Sequence, residues 1–137
     1  MKKGILVFMF LALVLVACGG QSATAPVVEN EPLDLAAEVD VHTVNEIKDR
    51  EDVYLLDVRE QWEYDEAHIP GVTLLPLGEL PNRLDEIPTD KTVIVTCRTG
   101  NRSGQAVNFL SQNNFDNIHN MQGGIVAWQD AGYEVVR

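Results

Sequence analysis

Cysteine is scarce in this 137-residue chain, which holds only Cys18 and Cys97. Because Cys18 lies in an N-terminal segment with features of its own, a structural disulfide between the two is not indicated. The three histidines and Cys97 lack the spacing of metal ligands, and the glycine-rich phosphate-binding motif of nucleotide enzymes is absent. We therefore expect neither a metal ion nor a cofactor.

Positive charge is also scarce, since 10 lysines and arginines face 21 aspartates and glutamates and give a net charge of −11. Lys2 and Lys3 precede any acid, so the remainder of the chain is more negative still. A chain this acidic is a poor candidate for binding nucleic acid or for electrostatic attachment to anionic lipid. Against this background, Arg98 and Arg102 lie close together in one short segment, which indicates an anion site. The alternative is a chance distribution of surface arginines.

Long hydrophobic runs are missing except for residues 4–17, which are too short for the ~20 residues of a membrane-spanning helix. Behind Met1-Lys2-Lys3, this run is typical of a secretory signal. It ends in Leu15-Val16-Ala17-Cys18-Gly19, which resembles the lipobox of bacterial lipoprotein signal peptides. The resemblance implies that Cys18 is lipidated and holds the protein at a membrane surface outside the cytoplasm. The alternative is an ordinary secreted protein with an incidental cysteine.

The segment after Cys18 is rich in Gly, Ser, Thr, Ala, Pro and acidic residues up to about residue 40, which is typical of a flexible tether. No internal repeat is visible in the chain. The expected organisation is a signal peptide over residues 1–17, the lipidated cysteine and tether over 18–40, and one folded domain over 41–137.

The expected domain alternates short apolar runs with segments of helical spacing, which predicts an α/β fold. The runs typical of strands are 53–58, 72–77, 92–96 and 117–121, and those typical of helices are 44–50, 61–66, 80–87, about 102–113 and 125–129, with a further edge piece over 133–137. Strands without polar positions are buried on both faces, so we expect a mainly parallel sheet with helices on each side. Arg59 and Cys97 follow strands, at the sheet edge where ligands bind.

Cys97 ends a β-branched strand, and the loop Cys97-Arg98-Thr99-Gly100-Asn101-Arg102-Ser103 leads into a helix. Such a loop turns backbone N–H groups inward and adds the positive end of the helix dipole, so it binds anions. The same features lower the pKa of a thiol, which makes Cys97 the candidate nucleophile. The alternative is an inert buried thiol.

Four separated segments occur in the order found in one known family. They are Leu56-Asp57-Val58-Arg59-Glu60, Ala67-His68-Ile69-Pro70-Gly71, the loop from Cys97 to Ser103, and Gly123-Gly124-Ile125-Val126-Ala127-Trp128. Together they resemble the single-domain rhodaneses, from about residue 41 to the C-terminus. The resemblance implies a five-stranded α/β sheet and sulfurtransferase activity. A loop cysteine would accept sulfane sulfur from a small anionic donor such as thiosulfate, hold it as a persulfide, and pass it to cyanide, a thiol or a protein.

Roles for the remaining candidates follow from charge and backbone chemistry. We expect Arg98 to meet the anionic donor, and Arg102 to fix the loop by pairing with Asp57 or a neighbouring acid. The other expected substrate-binding residues are Thr99, Gly100, Asn101, Ser103 and Arg59. Gly100 permits a left-handed backbone, and Arg59 has an ordinary strand-end role as its alternative. His68 is expected to make a structural hydrogen bond in a turn, and Trp128 to lie in the core.

Two other functions remain open. Dual-specificity phosphatases have five residues between the loop cysteine and arginine, whereas Cys97 and Arg102 have four between them. The shorter loop favours a sulfur-sized target over phosphate or arsenate, so a phosphatase or arsenate reductase is the weaker alternative. The other alternative is a non-catalytic module on the same fold that carries persulfide or binds a partner.

Overall fold

The computed structural model describes residues 31–137. The expected signal peptide, Cys18 and most of the expected tether lie outside the described residues, so those predictions stay predictions. No helix in residues 31–137 combines the length and the apolar character needed to cross a membrane.

The described residues form a five-stranded sheet in which every neighbouring pair is parallel. The strands are β1 (Glu38–Val39), β2 (Val53–Asp57), β3 (Thr73–Leu74), β4 (Thr92–Thr96) and β5 (Ile118–Met121), in the order β1-β5-β4-β2-β3. The α-helices are α1 (Val41–Ile47), α2 (Gln61–Glu66), α3 (Asn101–Gln112) and α4 (Gly124–Asp130). The prediction of a mainly parallel α/β sheet is confirmed.

The central strand β4 and its neighbour β2 bury side chains on both faces of the sheet, because side chains alternate along a strand. Leu55 of β2 and Ile94 of β4 belong to one apolar cluster, which α1 and α4 complete with buried residues such as Val44 and Trp128. On the opposite face, Val93 and Val95 of β4, together with Leu56 of β2, pack against α3 through Ala106 and Leu110. Two buried layers therefore fix β4, and with it the position of the loop that follows.

The folded domain begins before residue 41, where we expected it to start. β1 pairs with β5 through Glu38 and Asn120, and Leu33 and Leu35 pack against the core. These residues had been assigned to the tether. A two-residue strand has too little periodicity to be recognised in a sequence, because only its pairing with β5, about 80 residues away, defines it.

The single helix predicted over residues 80–87 is wrong. The segment forms two separate 3-10 turns, Leu80–Asn82 and Leu84–Glu86, with Arg83 between them at φ −135°. Buried Leu80 and Ile87 anchor the segment at its two ends, so packing and not a continuous helix sets its path. The strand predicted over 72–77 shrinks to β3, and the expected C-terminal edge piece is a single antiparallel bridge between Val136 and His68.

Candidate active site

Cys97 directly follows β4, and its side chain is buried, with 1% of the residue exposed. The backbone N–H of Gly100 donates to the Cys97 Sγ over 3.1 Å, and the Ser103 hydroxyl donates to it over 3.3 Å. Helix α3 begins at Asn101, so the loop turns from the sulfur into the first turn of the helix. The structure thus places the predicted nucleophile at the centre of a ring of donors.

Opposing effects act on the pKa of the Cys97 thiol. Burial raises the pKa, because it removes water from the thiolate. The Ser103 hydroxyl and the backbone N–H groups of Ser103, Thr99 and Gly100 lower it by hydrogen bonding, and together they prevail. The pKa of the thiol therefore lies below its usual value, as nucleophilic chemistry near neutral pH requires.

Gly100 has the left-handed backbone expected for it, with φ at +97°. A Cβ at this position would lie 3.2 Å from the backbone nitrogen of Gly123, so the loop approaches a second segment closely. That segment is the start of α4, where the Ile125 N–H donates to the Cys97 carbonyl and the Val126 N–H to the Arg98 carbonyl. Sequence analysis identified Gly123-Gly124 only as part of a family-like segment, and its support of the loop was missed.

Arg102 pairs with Glu63 of α2. Nη1 and Nη2 donate to the two carboxylate oxygens, each over 2.7 Å. These bonds from Arg102 hold the pKa of Glu63 down at about 2, although burial of the carboxyl acts against them. The expected loop-fixing role of Arg102 therefore has a geometric basis, with Glu63 and not Asp57 as the partner. The position of Glu63 in the capping box of α2 was the available signal for a fixed acid.

Asp57 pairs with Arg59. The Asp57 carboxylate accepts from the backbone N–H, Nε and Nη2 of Arg59, and both side chains are buried. Nη1 and Nη2 of Arg59 also donate to the carbonyl oxygens of Glu63 and Ala67, respectively. Because these bonds occupy the Arg59 guanidinium within the fold, the geometry favours its strand-end role of holding α2 on the sheet over direct substrate binding.

Arg98 has a different environment. Its side chain is exposed, and within residues 31–137 it makes no ion pair. It lines an open cavity of about 260 Å³ together with Arg137, Glu66 and Val126, among others. Arg98 is thus the loop cation that remains available to an incoming anion.

The other two loop candidates, Thr99 and Asn101, have exposed side chains at the rim of the loop. The His68 Nδ1–H donates to the Tyr64 carbonyl oxygen over 2.9 Å, and the imidazole stacks on the Tyr64 ring, which fits a structural role. Trp128 is buried, and its indole N–H donates to the Glu134 carbonyl. In the part of the chain that the structure describes, no cluster of His, Cys, Asp and Glu could hold a metal ion.

Comparison with known proteins gives one consistent result. Residues 40–131 match the family model of the rhodanese-like domain. A sulfurtransferase of Allochromatium vinosum is 38% identical over 100 residues, which are 72% of this chain and 94% of that protein. A thiosulfate sulfurtransferase of Pseudoalteromonas translucida is 33% identical, covering 66% of this chain and 87% of its own. The crystal structure of a rhodanese-related protein from Thermoplasma volcanium is 35% identical, with a TM-score of 0.68 over 74% of this chain and 98% of that chain.

Proposed function

This chain belongs to the rhodanese-like domain family, and on that premise we propose that it transfers sulfane sulfur from a thiosulfate-like donor to a thiophilic acceptor through a persulfide on Cys97. The observation that carries the proposal is the ring of hydrogen-bond donors around the Cys97 sulfur. Two relatives that this chain covers over 94% and 87% of their length are named sulfurtransferases, which supports this reaction type.

In the first step, the Cys97 thiolate attacks the outer sulfur of thiosulfate. The sulfur–sulfur bond of the donor breaks, sulfite leaves with the electron pair, and a new sulfur–sulfur bond forms on Cys97. In the second step, the nucleophilic acceptor attacks the outer sulfur, and the Cys97 thiolate leaves. Because the thiolate and the persulfide are both anions, the same loop donors and the end of α3 stabilise each of them.

Arg98 supplies the cation that a doubly charged donor needs. The body of the protein is strongly acidic, so a small anion is repelled from most of its surface. Arg98 and Arg137 line one cavity beside the loop. Arg98 is also the residue that directly follows the proposed nucleophile, Cys97, in the sequence. This arrangement favours an anionic donor over a neutral one.

The test is the intact mass of the reduced protein before and after thiosulfate, with Cys97→Ser as the matched variant. We expect a gain of one sulfur atom, ~32 Da, on the nucleophile, and no gain in Cys97→Ser. The variant also controls for sulfur taken up by Cys18, the other thiol. No gain in a protein whose Cys97 reacts with an alkylating reagent would contradict the proposal.

A carrier or partner-binding module is the second candidate, and the deep burial of Cys97 favours it, because a thiol that is 1% exposed limits access of acceptors. Multiple turnovers with cyanide or a small thiol would exclude it. Persulfide that forms but does not turn over would favour it. The four-residue spacing between Cys97 and Arg102 keeps phosphatase or arsenate reductase activity the weaker alternative, which hydrolysis of an aryl phosphate would test.

We also propose that the protein is exported and anchored to a bacterial membrane through lipid on Cys18. The support is the lipobox-like sequence behind a short apolar run. Labelling of cells with a radioactive fatty acid should mark the wild-type protein and leave Cys18→Ser unlabelled. Equal labelling of both would contradict the anchor.

A further inference from the structure

We propose that Asn120, held by Glu38, is a positioning residue that keeps Gly100 in the orientation in which its N–H reaches the Cys97 sulfur. The inference deepens the proposed function, since it takes Cys97 as the nucleophile. Asn120 lies on β5, whereas the loop follows β4, and it is outside the segments that carry the candidate substrate-binding residues.

Asn120 lies on β5, next to the strand that leads into the Cys97 loop, and 5% of it is exposed. Its Nδ2 donates to the Gly100 carbonyl over 3.2 Å and to the two Glu38 carboxylate oxygens over 3.1 and 3.0 Å. An amide NH₂ has two hydrogens, so one serves the loop and the other serves β1. One hydrogen of the amide therefore holds the Gly100 carbonyl, and the other is held by Glu38.

The oxygen of the same amide indicates that Asn120 acts through its NH₂ group. Asn120 Oδ1 is buried and has no hydrogen-bond partner within the described residues. A buried polar atom without a partner is destabilising, and most such atoms in proteins are paired. The reversed amide would place Oδ1 against the Gly100 carbonyl and the Glu38 carboxylate, all of them acceptors. The fold thus tolerates an unpaired oxygen while the NH₂ group bonds to the loop.

Gly100 needs such support because glycine is the residue with the greatest backbone freedom. Its N–H donates to Cys97 Sγ, and its carbonyl accepts both from Asn120 and from the Gly104 N–H in the first turn of α3. The bond to Gly104 restrains Gly100 only relative to α3, whereas the bond to Asn120 ties it to the sheet. The sheet is also what positions Cys97, so Asn120 fixes donor and sulfur relative to each other.

Glu38 fixes the amide in turn. Glu38 and Asn120 are register partners on adjacent strands, so their side chains lie on the same face of the sheet. Both carboxylate oxygens reach Nδ2, which restrains rotation of the amide group. The chain of contacts runs from β1 through β5 to the loop and ends at the sulfur.

The experiment measures the rate at which iodoacetamide alkylates Cys97 as a function of pH, followed by mass spectrometry of the peptide that contains Cys97. We expect Asn120→Ala to move the midpoint of this profile upward, on the order of half to one pH unit, because a loosened N–H stabilises the thiolate less. Asn108→Ala is the matched control, because Asn108 is exposed on α3 and lines the same open cavity as Asn120 without a hydrogen bond to the loop in the described structure. Its midpoint should equal that of the wild type.

Glu38 supplies the second pair of variants. Glu38→Gln keeps an acceptor oxygen for Nδ2 and should leave the midpoint near the wild-type value, whereas Glu38→Ala should raise it by less than Asn120→Ala does. A lower melting temperature with an unchanged midpoint in Asn120→Ala would make Asn120 merely structural and overturn the proposal. Should Asn120→Ala fail to fold, an unchanged midpoint in Glu38→Ala overturns it instead. Alkylation requires no sulfur donor, so a protein that alkylates as expected but takes no sulfur from thiosulfate contradicts the proposed function alone.

Discussion

The Arg102 guanidinium and the Glu63 carboxylate meet in a two-bond ion pair across 39 residues of sequence. The pair joins the first turn of α3 to α2, and it is partly buried, with 6% of the Glu63 side chain and 31% of the Arg102 side chain exposed. As a result, the two arginines of the loop have different environments. Arg102 is paired with Glu63, whereas Arg98 makes no ion pair within residues 31–137.

Arg102→Met should lower the free energy of unfolding by roughly 1–3 kcal/mol at pH 7, because it leaves the Glu63 carboxylate buried without its partner. Urea denaturation measures the loss. Arg83→Met is the control, since Arg83 forms its pairs with Glu79 and Glu86 on the surface, where such pairs contribute little. Equal losses in the two variants would contradict a special role for the Arg102 pair.

The same pair predicts a dependence of stability on pH. The pKa of Glu63 is lowered from 4.5 to about 2 in the folded protein, so its contribution is fully present above pH 4.5 and is lost as the pH falls toward 2. The difference in unfolding free energy between wild type and Arg102→Met should therefore shrink over this interval. A difference that stays constant from pH 6 to pH 2 would show that Glu63 is not the group responsible.

Ser103→Ala should raise the pKa of the Cys97 thiol by roughly one pH unit, because it removes the largest hydrogen-bond contribution to the stability of the thiolate. The pH profile of alkylation at Cys97 measures the shift. Ser111→Ala lies on the same helix with an exposed side chain and should leave the profile unchanged. A profile for Ser103→Ala that coincides with the wild type would refute this account of the thiolate.

Gly124→Ala should be far more damaging than Gly132→Ala, although both glycines have positive φ. A Cβ at Gly124 would collide with the Cys97 carbonyl oxygen, whereas nothing lies within 4 Å of one at Gly132. Gly132→Ala therefore costs only the backbone strain of about 1–2 kcal/mol, while Gly124→Ala must also displace the loop that carries Cys97 and Arg98. Thermal unfolding and persulfide formation of the two variants test this, and similar losses would argue against a tight contact between loop and α4.

Arg98→Gln should raise the KM for thiosulfate roughly tenfold, because it removes the cation that attracts the donor. Steady-state kinetics measure the effect, and the alkylation of Cys97 by uncharged iodoacetamide should be unaffected. Arg83→Gln changes the net charge equally but lies at a surface ion-pair cluster, so it controls for overall charge. An equal rise of KM in both variants would show that only net charge matters.

Local features of the candidate site were predictable from the sequence. The β-branched run over 92–96 predicted β4 and placed Cys97 directly after it, and Gly100 predicted a left-handed turn, which φ of +97° confirms. Each of these properties depends on a few neighbouring residues.

Long-range choices were not predictable. Several acids follow β2, and only the packing of α2 on the sheet selects Glu63 as the partner of Arg102. The use of Gly123-Gly124 to seat the loop, and the contact of Asn120 with Gly100, likewise depend on which segments the sheet order brings together. The two-residue strand β1 was missed for the same reason, since its identity comes entirely from β5.

The pairing of β1 with β5 affects how the domain can fold while it is being synthesised. A ribosome that has made β2 and β4 has produced the middle of the sheet and the cysteine, but β1 has no neighbour until Ile118–Met121 has been made. The loop is then still without Asn120 and without the start of α4. The contacts that hold the loop from β5 and α4 therefore form only after both of those segments have been made.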